Sequence, residues 1–550
     1  MDSDAMKNAQ CQYEQKTTFR DKFKVVWDNL AQYNDMNTGN TKKTVGHSIL
    51  WKKVGNKEFT AAKNEHYLRK SIEAYTKSIA FAPVGSKELS LAYANRSAVL
   101  SKARLYEDCL LDIERSLKAG YPDKLKTKLF LRQSLCFKAL KPSSHIESGI
   151  SMLKKTKKNN QHVVATRDIK SGEFIYISEP LAATPGRELR FTNCWHCCRS
   201  TWAGVPCDNC PNVIYCSVIC KKKAWDSYHN IECLVLGELF QHANIPTGFI
   251  LPVKLFLKTL NLAGGLLELK KKVDDIDSMK NQGSILTNGI LDVNTVSNVH
   301  LLEYFKPTSN ICSFEIALLV VTIVSTLCQK TDILGKKMTA KYLVENKNEK
   351  ILILGELILR YMMIVYRSGE VMSKKKSGSN VVLSNTMLSF STIIKPSCDP
   401  NVNWTHVGSN VGYYACKPIK QGEPLLLSTT DSYHKSPKIE RCARLGPCKC
   451  KACVENWPTV EHLPSYQSLA IILPTTINRE LNCLNVKFKE WQKLIQQGDT
   501  KKLSTIKDEL NSMNDMIHQY ITVPCREISI LHSLLKSLYR QLHCVHDIYD

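Results

Sequence analysis

Apolar and polar positions follow a helical period over much of the chain. Residues 1–45 are polar and hold no sustained period, so we expect a lead-in with at most one helix there. From Trp51 onward, apolar residues recur at helical spacing, and Pro or Gly ends successive segments. The predicted helices cover residues 51–63, 67–81, 90–103 and 106–119, and another begins near Thr127. The pattern therefore predicts consecutive helix pairs.

Other apolar segments lie in the middle and at the end of the chain. The runs 316–328 and 351–366 are shorter than the roughly 20 residues that a membrane-spanning helix needs, so we expect buried helices and no membrane partner. After Trp457, amphipathic segments predict a C-terminal helical domain. These segments cover residues 477–497, 501–521 and 524–545.

Two stretches with one turn pattern predict a β-rich region among these helices. Residues 163–176 (VVATRDIKSGEFIY) are typical of two short strands joined by a Gly turn. Residues 414–425 (YACKPIKQGEPL) repeat the phrase Ile-Lys-x-Gly-Glu. The chain therefore combines helical and β-rich parts, and an α+β multidomain fold follows.

Composition and charge narrow the function classes. With 550 residues the chain is long enough for several domains, and 75 Lys and Arg against 51 Asp and Glu give a net charge of +24. A basic balance favours acidic partners without choosing among phosphate backbones, acidic peptides and anionic surfaces. The N-terminus lacks the apolar stretch of a secretory signal, so we expect the 22 Cys to lie in the reducing cytoplasm and nucleus, with clustered Cys binding metal.

Eight potential metal ligands between Cys194 and Cys233 stand in four close pairs. The pairs are Cys194 and Cys197, Cys207 and Cys210, Cys216 and Cys220, and His229 and Cys233. Eight such ligands satisfy two tetrahedral Zn²⁺ ions, although the spacing alone permits more than one grouping. Because protein ligands fill every position of each ion, we expect structural zinc that supplies folding free energy rather than hydrolytic zinc.

The order and spacing of these pairs resemble the MYND zinc finger. The resemblance implies that the first and third pairs hold one ion and the second and fourth pairs hold the other. It also implies binding of partner proteins, commonly through proline-containing peptides. Cys198 is an additional thiol beside Cys197, and we interpret it as a bystander. The run Lys221-Lys222-Lys223 favours acidic surfaces or is simply a solvated helix face.

The flanking motifs resemble a SET domain that is split by the finger. They are the two repeated phrases, the segment Pro396-Ser397-Cys398-Asp399-Pro400-Asn401, and Cys448-x-Cys450-x2-Cys453. The arrangement resembles the SMYD family, in particular its branch with an N-terminal tetratricopeptide (TPR)-like domain. The resemblance implies a third zinc ion held by Cys398, Cys448, Cys450 and Cys453.

The resemblance also gives the expected domain boundaries. They are a polar lead-in at 1–45, TPR-like helical repeats at 46–158, the first part of the SET domain at 159–193, the MYND finger at 194–233, a helical insert at 234–384, the second part of the SET domain at 385–435, a post-SET zinc segment at 436–456 and a C-terminal helical domain at 457–550.

Five polar residues of the helical repeats match a carboxylate clamp. TPR domains that grip chaperone C-termini use Lys and Asn in the first repeat, Asn in the second, and Lys and Arg in the third. The matching residues are Lys52, Asn56, Asn95, Lys128 and Arg132. Four-residue spacing places each pair on one helix face, so the resemblance implies binding of acidic chaperone tails. The alternative is a solvated basic face.

The cofactor motifs of a SET methyltransferase are altered at each position. Asn160-Gln161-His162 stand where the family has a Gly-rich turn, and Lys395-Pro396 stand where it has an Asn-His pair. Arg367 aligns with the family's Asn after the long helix. Proline has no N–H and cannot donate a main-chain hydrogen bond to S-adenosylmethionine. Thr429 stands where the resemblance implies the catalytic Tyr, and Tyr433 is the candidate substitute.

These departures leave two hypotheses of different classes. The residues favour a weakly active or inactive adaptor that binds protein partners. The family resemblance favours an active S-adenosylmethionine-dependent protein-lysine methyltransferase acting on histones or other proteins. A nucleic-acid regulator would depend only on the basic charge and the finger, since no base-reading module is evident.

Overall fold

The computed structural model describes most of the chain, in segments. They are residues 3–33, 42–61, 64–140, 163–241, 247–278, 286–287, 290–291, 296–300, 313–345, 348–376, 379–388, 390, 394–407, 410–428, 432–445, 448–469, 471–497 and 500–543.

The lead-in contains two helices, α1 (Ser3–Glu14) and α2 (Phe19–Leu30), so the expectation of at most one helix is wrong. Thr18 caps α2, because its side chain accepts a hydrogen bond from the Asp21 amide. The apolar residues of α2 recur three and four positions apart and form one face of the helix. This face packs on the helices at residues 314–330 and 349–368. Phe23 is fully buried, and a Cβ at Gly355 would lie 2.0 Å from its ring.

The next five helices each pack against the following one. They are α3 (Val45–Thr60), α4 (Glu65–Phe81), α5 (Lys87–Lys102), α6 (Tyr106–Lys118) and α7 (Lys126–Ala139). Their order and approximate bounds confirm the helices predicted from periodicity. Close approach of α3 and α4 depends on Gly55, because a Cβ there would lie 2.7 Å from the Tyr75 ring. The Ser71 hydroxyl donates to the Gly55 carbonyl oxygen at the same contact (2.9 Å).

The finger follows two strands of the SET region, β1 (Phe174–Ser178) and β2 (Ala182–Pro185). It contains the hairpin β3 (Val205–Pro206) and β4 (Ile214–Tyr215), then α8 (Val218–Ala224), a π-helical turn at Trp225–His229, and α9 (Asn230–Gln241). Because each strand of this hairpin has only two residues, the hairpin buries little apolar surface on its own. We therefore expect metal binding to supply much of the folding free energy of this segment.

The helical insert surrounds a large apolar core. Its elements are α10 (Ile250–Ala263), α11 (Leu266–Ser278), β5 (Leu286–Thr287), β6 (Ile290–Leu291), α12 (Val296–His300), α13 (Phe314–Lys330), α14 (Ala340–Glu345) and α15 (Glu349–Ser368). The two apolar runs lie within α13 and α15 and are largely buried there, as predicted, although Tyr366 at the end of the second run is exposed. Among the described residues no single helix is long and apolar enough to cross a membrane, and α10 with α11 meets the criterion only as a pair bent by 95°.

Two sheets form the SET region. The remaining strands are β7 (Gly369–Lys376), β8 (Ser379–Met387), β9 (Lys395–Pro396), β10 (Val402–Val407), β11 (Asn410–Ala415) and β12 (Leu426–Leu427). One sheet has the order β1-β11-β10-β12-β9 and the other has the order β2-β8-β7.

The two repeated phrases pair with each other. The backbones of Ile169 and Ile419 exchange both hydrogen bonds, at 2.8 and 2.9 Å, and the Gly422 amide donates to the Ala165 carbonyl oxygen (2.9 Å). Gly172 and Gly422 occupy the turns with φ values of 82° and 84°, a conformation that favours glycine. Of the two short strands predicted over residues 163–176, the second is present as β1, whereas the first is replaced by isolated bridges of Val164 with Pro424 and of Ile169 with Ile419.

The C-terminal part of the chain, from residue 438 onward, is helical and packs on the first sheet. It contains α16 (Lys438–Leu445), α17 (Lys451–Val454), α18 (Thr475–Asn482), α19 (Leu484–Gln497), α20 (Thr500–Tyr520) and α21 (Arg526–His543). The Asn514 amide nitrogen donates to the Ser171 hydroxyl and the Cys416 carbonyl oxygen, both at 2.9 Å. The Gly172 turn accepts a further hydrogen bond from the Tyr539 hydroxyl (2.9 Å). The C-terminal helices are therefore fixed to the repeated phrases by specific polar contacts.

Candidate functional site

The first candidate metal centre groups Cys194, Cys197, Cys216 and Cys220, whose Sγ atoms all lie within 4.8 Å of one another. Cys197 and Cys216 are 3.8 Å apart, and Cys216 and Cys220 are 3.5 Å apart. Ser217 caps α8 by accepting from the Cys220 amide (3.2 Å), which fixes the fourth ligand at the start of the helix. Four thiolates at these separations fit tetrahedral Zn²⁺.

The second centre groups Cys207, Cys210, His229 and Cys233, and all four are buried. His229 Nε2 lies 3.7 Å from Cys210 Sγ, while Cys207 and Cys233 are 3.8 Å apart. The Asn209 amide donates to Cys207 Sγ (3.4 Å), an interaction that favours a thiolate. Both groupings are those that the MYND resemblance implied, and Cys198 belongs to neither.

The third centre joins the SET region to the post-SET segment. It groups Cys398, Cys448, Cys450 and Cys453, with 3.5 Å between Cys398 and Cys453. The Cys398 amide donates to Cys450 Sγ (3.4 Å), and the Arg441 guanidinium donates to Cys453 Sγ (3.5 Å). Three sets of four N or S donors therefore exist in the described part of the chain, and each has the ligand chemistry that structural zinc requires.

Charged residues behind the second centre form a buried network that the sequence pattern did not single out. Glu232 accepts hydrogen bonds from His229 Nδ1 (2.7 Å) and Trp195 Nε1 (2.9 Å). Lys254 of α10 donates to the carbonyl oxygens of Trp195 (2.7 Å) and Ala183 (2.9 Å). The available signal was the spacing of His229 and Glu232, since residues three apart share a helix face.

Tyr433 packs in the core beside the third centre. Only 1% of its surface is exposed, and its ring meets Trp457 edge-on with 5.0 Å between ring centroids. Its hydroxyl lies 3.0 Å from Ser529 Oγ on α21. Burial raises the pKa of the Tyr433 phenol above its usual range. This arrangement directs the hydroxyl to the C-terminal helices.

The Lys395-Pro396 pair lies in β9, which runs parallel to β12 in register with Leu426 and Leu427. Lys395 is exposed, and the next amide, that of Ser397, donates to the Leu427 carbonyl oxygen (2.9 Å). Pro396 has no amide hydrogen, and the amide of Ser397 is hydrogen-bonded within the sheet. Neither residue therefore offers a main-chain donor to a cofactor. This part of the site does not fit the S-adenosylmethionine contacts that the family resemblance implied.

Three predicted cofactor residues and one predicted catalytic position lie outside the described residues. They are Asn160, Gln161, His162 and Thr429. Arg367 belongs to α15, but its side chain is also outside the described part.

Three of the five clamp residues come together. Asn56 Oδ1 accepts hydrogen bonds from Asn95 Nδ2 (3.3 Å) and the Tyr75 hydroxyl (2.7 Å). Arg132 donates to the carbonyl oxygen of Ala94, the neighbour of Asn95 (3.1 Å). Lys52 is half-buried and Lys128 is exposed, and among the described residues neither has an ion-pair partner. The Asn residues and Arg132 therefore converge, whereas the structure gives the two lysines no contact with them.

A cavity of about 640 Å³ lies between the post-SET loop and the C-terminal helices. His434, Glu461, Gln492 and Ser533 contribute its polar lining, and His434 Nε2 lies 3.3 Å from Ser533 Oγ. Ser529, whose Oγ lies 3.0 Å from the Tyr433 hydroxyl, also lines this cavity.

Comparison with known proteins adds the family context. A SET domain family model matches residues 160–428. The zebrafish (Danio rerio) protein-lysine N-methyltransferase SMYD4 is 33% identical over 30% of this chain, and the match covers 27% of that relative. The human (Homo sapiens) protein of the same name is 22% identical over 74% of this chain and 66% of its own length. A SET and MYND domain-containing protein of Dictyostelium discoideum is 22% identical over 50% of this chain and 73% of its own length.

These matches have different extents. The chain spans about a quarter of the zebrafish relative and about two thirds of the human one. Segments of both relatives therefore have no counterpart in these matches.

Proposed function

The chain belongs to the SMYD family of SET and MYND domain-containing proteins, and on that premise we propose that it is chiefly a protein-binding adaptor with little or no methyl transfer. The position of Tyr433 carries this proposal. Tyr433 is the candidate substitute for the family tyrosine, whose place Thr429 occupies. Its hydroxyl is hydrogen-bonded to Ser529 in the core. A general acid–base or aligning group must lie within hydrogen-bond reach of the reacting atoms.

The β9 strand supports the same conclusion. Pro396 removes a main-chain donor, and the Ser397 amide bonds to Leu427 within the sheet. Each lost hydrogen bond costs about 0.5–3 kcal/mol depending on charge and burial, and each 1.4 kcal/mol weakens binding about tenfold. Loss of several contacts would leave the cofactor bound too weakly to occupy the site.

The metal centres supply rigidity to the adaptor. We propose that three Zn²⁺ ions occupy them, because every donor set is a closed group of four and structural zinc needs no water ligand. The first two ions would hold the finger, and the third would hold the post-SET segment against the SET region. Thiolate ligands of this kind are stable in the reducing cytoplasm and nucleus, where we place the protein.

The partner surfaces would be the TPR-like helices and the finger. The 3.3 Å contact between Asn56 and Asn95, with Arg132 beside it, supports a TPR-like clamp for the acidic C-terminal tails of chaperones. Exposed apolar residues next to the metal ligands support binding of proline-containing peptides by the finger. They are Val218, Ile219 and Trp225, with exposures of 67%, 66% and 39%.

The test is transfer of labelled methyl groups from S-adenosylmethionine to core histones by zinc-loaded protein. We expect transfer at background level in the parent, and no change in Tyr433→Phe. A triple variant, Lys395→Asn, Pro396→His and Thr429→Tyr, is the matched comparison because it returns the implied family residues to this chain. Robust transfer by the parent that Tyr433→Phe impairs would overturn the adaptor proposal.

The second candidate function is active protein-lysine methyl transfer. The observation in its favour is that the zebrafish and human relatives are named protein-lysine N-methyltransferases. This function would require the Tyr433 hydroxyl to separate from Ser529. It would also require that side chains outside the described residues bind the cofactor. Histones and other lysine-bearing proteins would then be substrates, and the same labelled-methyl assay distinguishes this function from the adaptor.

A further inference from the structure

The second metal centre contains the single histidine among the twelve proposed ligands. A neutral imidazole that binds a metal through Nε2 must carry its proton on Nδ1, and a hydrogen-bond acceptor at Nδ1 selects that tautomer. His229 Nε2 faces the cysteines of the centre, 3.7 Å from Cys210 Sγ. Its Nδ1 lies 2.7 Å from Glu232 Oε2. The His229 ring is therefore oriented with Nε2 toward the candidate metal site and Nδ1 toward the Glu232 carboxylate.

Glu232 is held in place by groups from outside the centre. It is 1% exposed, and its Oε2 also accepts from the indole N–H of Trp195 at 2.9 Å. Trp195 follows Cys194, a ligand of the first centre, so one carboxylate contacts elements of both centres. A buried carboxylate is costly unless it is paired and hydrogen-bonded.

Lys254 supplies the compensating charge. It is 1% exposed, and its ammonium group lies over the Trp195 ring, 4.3 Å from the ring centroid. Its hydrogen bonds to Trp195 and Ala183 tie this charge to the finger and to strand β2. The network thus connects the histidine ligand to the insert and the SET region through residues that do not bind metal themselves.

We propose that Glu232 is the positioning residue of the second metal centre. Its carboxylate accepts the hydrogen bond of His229 Nδ1–H and so holds Nε2 toward the three cysteines of the centre. Loss of such an outer carboxylate typically weakens metal affinity by about 10- to 100-fold. The alternative is that Glu232 serves only as a buried partner of Lys254 and contributes to stability alone.

The test uses Co²⁺ titration of metal-free full-length protein, because visible absorption distinguishes a site of three thiolates and one imidazole from a site of four thiolates. In Glu232→Gln we expect Co²⁺ affinity of the imidazole-containing centre to fall about 10- to 100-fold, with the four-thiolate centres unchanged. The matched control is Glu238→Gln, a buried glutamate on the same helix whose partner is Lys330 at 2.7 Å. That control should lower stability without changing any Co²⁺ affinity.

A second measurement keeps the proposal falsifiable if Glu232→Gln does not fold. Nitrogen-15 spectra of the histidine-labelled, zinc-loaded parent report the tautomer of His229 directly. We expect a protonated Nδ1 and a metal-bound Nε2. A metal-bound Nδ1, or a Glu232→Gln variant whose Co²⁺ affinities equal those of the parent, would overturn the proposal.

Discussion

The hydroxyl of Tyr433 lies 3.0 Å from the Oγ of Ser529. Ser529 donates its own hydrogen to the Cys525 carbonyl oxygen (3.0 Å), so Tyr433 is the donor of the pair. The contact joins the loop before α16 to the start of α21, beside the third metal centre. Tyr433 is therefore a residue of the interface between the SET region and the C-terminal helices.

Tyr433→Phe should lower the free energy of unfolding by about 0.5–1.5 kcal/mol, because it removes one buried hydrogen bond while keeping the ring. Urea unfolding measures the change. Ser529→Ala removes the other partner, and the double variant should cost less than the sum of the two single variants. Additive losses would show that the two hydroxyls do not interact.

Purified protein should contain three zinc ions per chain, because twelve ligands form three closed sets. Elemental analysis measures the ratio. Cys398→Ser should reduce it to two and expose the post-SET segment to proteolysis, while Cys416→Ser, at a buried cysteine outside the three sets, should keep three ions. An unchanged ratio in Cys398→Ser would show that the third group of cysteines does not bind zinc.

A peptide ending in acidic residues and a free carboxylate should bind helices α3 to α7, and amidation of its terminus should weaken binding. Arg132→Ala should also weaken binding, since a charge-assisted hydrogen bond contributes about 1.5–3 kcal/mol. Fluorescence anisotropy at two salt concentrations measures both effects. Lys53→Ala is the control, because Lys53 is exposed on the same helix as Asn56.

Equal affinity for the free acid and the amide would identify the five residues as a solvated face. It would leave the metal centres and the SET region unaffected, since neither depends on Arg132.

Phe23→Ala should destabilise the helical insert by about 3–5 kcal/mol, because the fully buried ring fills space against Gly355 and leaves a cavity when removed. Thermal unfolding with a tryptophan signal measures the loss. Lys24→Ala is the control, because Lys24 is exposed on the same helix. A midpoint equal to that of the control would show that α2 contributes nothing to the insert.

Stability should fall as the pH drops below about 6.5, because two histidines of the C-terminal helices are buried in neutral form. His518 and His532 lie with their Nε2 atoms 3.1 Å apart. Burial, with help from Lys417, lowers the pKa of His518 to about 3, and burial with the neighbouring His518 lowers the pKa of His532.

The unfolded chain therefore binds more protons than the folded one between about pH 6.5 and pH 3, and folding stability is lost across that window as the pH falls. His518→Gln should reduce the loss between pH 7 and pH 5, as followed by urea unfolding. An identical pH profile in parent and variant would contradict this assignment.

The sequence predicted the metal centres more fully than the rest of the site. Ligands separated by a short gap, such as Cys207 and Cys210, can bind the same ion in few ways. The local spacing and the family resemblance, taken together, therefore assign the ligands to their ions. The helices also follow from local periodicity, and their bounds in α4 and α6 agree with prediction within a few residues.

The remaining features depend on contacts between residues far apart in the chain. The burial of Phe23 requires Gly355 of a distant helix, and the role of Glu232 requires Trp195 and Lys254 around it. Polarity over residues 1–45 concealed α2, because a helix with one apolar face is polar on average. Likewise, the sequence placed Tyr433 near Thr429 but contained no information on where its hydroxyl points.

Calorimetric titration of zinc-loaded protein with S-adenosylmethionine measures whether the altered SET site still binds the cofactor. We expect no saturable heat from the parent at cofactor concentrations that fill an intact SET site, and a measurable affinity in the triple variant Lys395→Asn, Pro396→His and Thr429→Tyr. One-to-one binding by the parent that is as tight as binding by the triple variant would show that the cofactor site is intact and that the protein is not chiefly an adaptor.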